Sequence, residues 1–95
     1  MRLRWTTPAS HDLEAIGDYI GQDNPVAAAK TIRRILDRTD QLTAHPEIGR
    51  VGRVSGTREL VISQTPFIIA YRVRAEQIEV LAVIHGARQW PKKFE

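Results

Sequence analysis

Three apolar runs, set almost end to end, constrain this chain more than any other feature. TRELVIS (57–63), FIIAYRVR (67–74) and QIEVLAVIH (77–85) are rich in β-branched and aromatic residues. Only short breaks separate them, the first closed by Thr65-Pro66 and the second made of Ala75-Glu76. A parallel crossover takes a dozen residues or more, so connections this short require antiparallel pairing. The spacing therefore predicts a three-stranded meander. In its middle strand Phe67, Ile69, Tyr71 and Val73 share one face, and Ile68, Ala70, Arg72 and Arg74 the other. One face suits a core, while the other is half apolar and half cationic. The third run is apolar on both faces from Val80 to Ile84, which predicts a central position.

The first half of the chain predicts the helices that cover the core face. Leu3 and Trp5 alternate with Arg2 and Arg4, a short first strand. Thr6 and Thr7 then precede Pro8, a hydroxyl cap followed by proline in the first turn. Ala9, Leu13, Ile16 and Ile20 form one apolar stripe, with Asp12, Glu14 and Asp18 expected to turn mostly outward and Gly21 placed to end the helix. A second helix opens at Asn24-Pro25. Its apolar rhythm through Ile32, Ile35, Leu36 and Leu42 runs to about Ala44, where His45-Pro46 stops it. A link of about three residues favours an antiparallel helical hairpin. PEIGRVGRVSG (46–56), with three glycines and two arginines, reads as a loop. The whole is an α+β domain over residues 1–95: N-terminal strand, antiparallel helical hairpin, three-stranded antiparallel meander and short C-terminal tail.

Composition excludes some chemistry. The chain has no cysteine, hence no disulfide, thiol nucleophile or thiolate metal site. MRLRWTT holds no apolar stretch suited to a signal peptide or membrane helix, so a soluble cytoplasmic protein is expected, with no membrane association. Residues 1–49 hold six Lys/Arg against seven Asp/Glu, whereas residues 50–95 hold eight against four. The basic half would attract nucleic acid or an acidic protein segment at long range. The plainer alternative is a solvated surface.

Three sets of residues carry potential chemistry. His85, at a strand end beside Gly86, has the side chain best suited to proton transfer near neutrality, or else hydrogen-bonds backbone at a turn. His11 and His45 do not fall at metal-ligand spacing from it, so neither a metal nor another cofactor is expected. Arg50, Arg53, Arg58, Arg72, Arg74 and Arg88 are suited to bidentate binding of phosphate or carboxylate, or are edge charge. GRVGRVSG lacks the phosphate-loop pattern. In ARQWPKKFE, Trp90 and Phe94 either staple the tail to the core or anchor a partner.

Taken in order, several stretches resemble the RelE/ParE superfamily of bacterial type II toxins. They are the strand ending in Trp5, DLEAIGDYI with NPVAAA, LTAHPEIGRVGR, GTRELV, IIAYRV and VIHGARQWP. The resemblance covers nearly the whole chain and implies a helical hairpin against a small antiparallel sheet. It also implies a cognate antitoxin, ParD-like or similar, whose flexible C-terminal segment wraps and neutralises the toxin. RelE- and YoeB-like members cleave mRNA in the ribosome; ParE-like members are described as poisoning DNA gyrase.

The residues favour the ParE-like branch. RelE-like members draw on lysines and arginines in the loop and strands, but this chain's lysines are Lys30, Lys92 and Lys93. YoeB-like members use a strand arginine, where Ile68 stands here, and a final His-Tyr pair, which falls on Gly86 and Ala87. A one-residue slip would bring His85 onto the histidine position, yet Gly86 would still replace the tyrosine. Proton-transfer groups contribute ~10²–10⁴-fold each. The reading is therefore a gyrase-directed toxin, with Arg88 and Trp90 as target contacts. Arg50, Arg53, Arg58, Arg72 and Arg74 are candidates for holding antitoxin carboxylates. The alternative is a ribosome-dependent endoribonuclease using His85 with Arg58, Arg72 and Arg88.

Overall fold

The computed structural model describes residues 1–94. Its elements are β1 (Arg2–Trp5), α1 (Thr7–Gly21), α2 (Pro25–Asp40), a 3₁₀ turn (Gln41–Thr43), β2 (Arg50–Val51), β3 (Arg58–Val61), β4 (Phe67–Arg74) and β5 (Gln77–His85). The helix starts follow from their caps. Thr6 Oγ1 accepts from Ala9 N at 3.3 Å, Asn24 Oδ1 accepts from Ala27 N at 3.0 Å, and each helix carries a proline in its first turn. α2 stops at Asp40, four residues short of the expected Ala44, because its last turn tightens to 3₁₀ geometry. That turn still carries Leu42 into the core, where it is fully buried.

The meander is present, but it is the middle of a larger sheet. Five strands run in the order β1-β5-β4-β3-β2. β1 lies parallel to β5, with Leu3 opposite Ile78 and Trp5 opposite Val80, and every other pair is antiparallel. The glycine-rich stretch contributes β2, a two-residue edge strand with Arg50 opposite Glu59. Between Ala70↔Ala82 and Tyr71↔Val80 the register shifts, leaving Leu81 without a directly opposed partner. β5 is thus an interior strand, as its two apolar faces require.

Leu60, Ile69 and Val83 form one row across the helix-facing side, and Tyr71 and Val80 the next. Ala9, Ile35 and Leu42 close over them from the helical layer. Burying each large apolar side chain contributes about 1.5–3 kcal/mol. Tyr71 also fixes the loop before β2: its hydroxyl accepts from Gly49 N at 3.0 Å and donates to Pro46 O at 2.8 Å. Gly49 is required there, since an added Cβ would lie 2.6 Å from the Tyr71 ring and hydroxyl.

The opposite side of the sheet is only partly open. Ile68, Ala70 and Ala82 are buried there, although the helices lie across the sheet from them. The chain after β5 turns back on this side. Gly86 N donates to Pro66 O at 2.7 Å, and a Cβ on Gly86 would meet the Ile68 side chain at 3.3 Å.

Candidate functional site

Four of the five arginines assigned to antitoxin binding lie on this second side, and each meets a carboxylate of the chain itself. Glu59, only 2% exposed, takes Arg50 Nη2 at 2.9 Å and Arg50 Nε at 3.1 Å on Oε1. Arg53 reaches the same carboxylate with Nε at 3.0 Å and backbone N at 2.8 Å on Oε2, and with Nη2 at 3.1 Å on Oε1. Burial pushes the Glu59 carboxyl up, but the bonds from Arg53 and Arg50 outweigh it and hold the group at about 2.

Glu79 gathers a second set. Arg4 Nη2 reaches its Oε2 at 2.7 Å and Arg72 Nε its Oε1 at 2.6 Å, with Arg74 Nε farther off at 3.7 Å. Bonds from Arg4 and Arg72 hold this carboxyl at about 2 as well. The register accounts for both clusters, since Glu59 stands opposite Arg50 and Glu79 opposite both Arg72 and Arg4. Five guanidiniums share two carboxylates, so the surface keeps a net positive charge.

Arg58 is placed differently. It stands opposite Tyr71 on the helix-facing side, where its Nη1 donates to Gly49 O at 2.7 Å and Glu47 O at 3.3 Å. It ties the loop to the sheet edge.

At the other end of β5 a groove of about 490 Å³ opens between α1 and the tail, lined by Asp12, Ile16, Tyr19, Phe67, His85 and Arg88 among others. The His85 ring meets Phe67 edge-on, with centroids 5.8 Å apart, and its Nδ1 accepts from Ala87 N at 3.1 Å. That bond leaves the proton of a neutral imidazole on Nε2. Asp12, expected to face outward, is instead half-buried here and accepts from Val83 N at 3.0 Å. Burial raises its pKa, against the opposing effects of the Val83 bond and His11. The sequence does carry this signal: Asp12 lies three residues after Ala9 and four before Ile16, on the edge of the apolar stripe. Tyr19 and Phe67 carry no local sign of lining a groove, because α1 and β4 supply parts of its wall only in three dimensions.

The four residues of the endoribonuclease alternative do not converge. His85 and Arg88 share the groove. His85 stands opposite Phe67, whereas Arg58 stands opposite Tyr71, and four residues along β4 amount to roughly 13 Å. Arg72 is one residue farther and points through the other face to Glu79.

The tail closes the site. Arg88 N donates to His85 O at 3.0 Å, completing a turn that leaves Arg88 exposed. Two residues on, the ring of Trp90 lies against the guanidinium of Arg53, with Cζ 3.8 Å from its centroid. Trp90 Nε1 is buried and has no hydrogen-bond partner among the described residues.

This architecture has known counterparts. A family model described as the ParE toxin of the type II toxin–antitoxin system, parDE, matches residues 3–90. The chain belongs to the ParE toxin family. Among its relatives, a Sinorhizobium fredii protein described as toxin Y4kP is 45% identical over 91 residues, 96% of this chain and 94% of the relative. Toxin RelE2 of Caulobacter vibrioides is 39% identical over 84 residues, 88% of this chain and 93% of the relative. A solved structure described as the chromosomal ParDE TA system from P. aeruginosa aligns with a TM-score of 0.82 and 32% identity, covering 90% of this chain and 95% of that one. Like that neighbour, this ParE-family chain pairs a helical hairpin with one small sheet. Among the described residues no helix is long and apolar enough to cross a membrane.

Proposed function

We propose that this ParE-family toxin acts by binding a macromolecular target, DNA gyrase, and that a cognate ParD-like antitoxin neutralises it. One observation carries the reading against RNA hydrolysis. Cleavage through a ribose 2′-OH needs a base, an acid and cations gathered around one phosphate. His85, Arg58, Arg72 and Arg88 are instead spread over two faces and both ends of the sheet. Arg88 and Trp90, on the tail, are the target contacts, since arginine and tryptophan are frequent anchors of protein interfaces. Arg50, Arg53, Arg72 and Arg74, with Arg58 at the loop edge, offer the positive surface for antitoxin carboxylates. The neighbour described as a ParDE system supports a partner of that kind.

Purified toxin is expected to inhibit supercoiling by gyrase and to trap cleaved DNA. Gyrase that works normally in stoichiometric excess of toxin would remove this reading. The ribosome-dependent endoribonuclease is the second reading, favoured by one feature: His85 and Arg88 line a single groove with the half-buried Asp12. Its signature is mRNA cut in a translating extract, abolished by His85→Ala.

A further inference from the structure

We infer that Arg53, braced by Glu59, is the clasp that holds the C-terminal tail on the sheet, and that the tail exchanges between this docked state and a released one. The bracing is geometric. Three hydrogen bonds to a carboxylate that is 2% exposed fix both the backbone and the guanidinium of Arg53. With Nε and Nη2 engaged at its edge, the guanidinium has its flat face left to offer. Trp90 takes that face at 3.8 Å. Tryptophan is the best aromatic partner for a cation, and a guanidinium stacks better than an ammonium.

The same contact explains why docking is reversible. Trp90 Nε1 loses its water on docking and gains no partner among the described residues, a cost comparable in size and opposite in sign to the cation–π attraction. Backbone bonds do little to hold the segment, since among the described residues the last one in the tail runs from Arg88 N to His85 O. Gln89, Pro91, Lys92 and Lys93 are exposed. Arg50 serves as an internal comparison, because it binds the same carboxylate but makes no stacking contact with the indole. Arg53 is thus a positioning residue. The consequence for toxicity rests on the reading of the tail as target contact: the clasp sets the fraction of molecules that present the whole indole, Nε1 included.

The test uses the full chain carrying Trp5→Phe, so that Trp90 is the sole tryptophan. Arg53→Met keeps the aliphatic stem and removes the charge. It is expected to shift Trp90 emission to the red and to raise its quenching by acrylamide, with far-UV circular dichroism unchanged. Arg50→Ala is expected to leave both readouts where they are. Glu59→Gln, which loosens the brace, should fall between the two and serves if Arg53→Met fails to fold. Unchanged emission and quenching in folded Arg53→Met overturn the clasp, as does equal release by Arg50→Ala. Growth arrest on expression is read alongside, and Arg53→Met is expected to need less inducer than wild type. Released Trp90 with unaltered growth arrest would leave the clasp standing and overturn the tail's role as target contact.

Discussion

The carboxylate of Asp12, on α1, accepts the backbone N–H of Val83, in the last third of β5, at 3.0 Å. The reason lies in the length of β1. That strand ends at Trp5, opposite Val80, and leaves the rest of β5 without a strand on that edge. Thr6 takes over first, with N to Val80 O at 3.1 Å and Oγ1 to the same oxygen at 2.7 Å. Asp12 then satisfies Val83, so a side chain continues what a strand begins. A buried N–H left alone costs about 1–3 kcal/mol. Asp12→Ala is expected to destabilise the fold by roughly that amount, measured by urea unfolding. Asp12→Asn keeps an acceptor without a buried charge and should retain most of the stability.

Asp12 and Glu59 should respond to acid with opposite signs. Glu59 is held at about 2, below its ordinary 4.5, so its stabilisation is complete above 4.5 and is lost as pH falls toward 2. Glu79 acts in the same direction. Asp12 is raised above its ordinary 3.8, so its contribution favours folding at low pH and fades as pH rises through its folded value. Urea midpoints of wild type should fall between pH 4.5 and 2, and Glu59→Gln should flatten that decline. An equally steep decline in Glu59→Gln would show that the acid sensitivity originates elsewhere.

Local signals made most of the fold legible. Thr6, Pro8, Asn24 and Pro25 carry both helix starts in a few residues, and alternation within 67–74 and the two-faced apolar run within 77–85 carry β4 and β5 to their observed bounds. What local pattern does not hold is long-range. Nothing near Leu3 specifies a parallel partner 75 residues later at Ile78, and two residues, Arg50–Val51, are too few to alternate. The candidate site was less legible for the same reason. The arginines were visible, but their partners Glu59 and Glu79 are set by register across strands. Arg58 stands apart from the other four because alternation places it beside Tyr71, on the helix-facing side.

The hairpin between β4 and β5 turns on Ala75 and Glu76, both at positive φ, 52° and 60°. A turn of that kind favours asparagine and glycine, and a non-glycine residue in the left-handed region costs of order 1 kcal/mol or more. Glu76→Gly is expected to stabilise the chain by about 1 kcal/mol, seen as a higher thermal midpoint. A lower midpoint would mean that the Glu76 side chain contributes more than its backbone strain costs.

Tyr71→Phe should show what the loop anchor contributes. The ring stays in the core, but Gly49 N and Pro46 O lose their partner. A loss of about 1–3 kcal/mol in urea unfolding is expected, with faster amide exchange at Gly49. An unaltered exchange rate at Gly49 would separate the loop from the tyrosine.

In the proposed function the toxin grips a target with its tail, and no proton moves through the imidazole of His85. Growth arrest by His85→Ala and by Trp90→Ala, induced side by side without antitoxin, separates the two roles. His85→Ala is expected to arrest cells as wild type does, and Trp90→Ala, still folded, to lose the effect. Cells that grow freely with His85→Ala while Trp90→Ala still arrests them would contradict the proposed function.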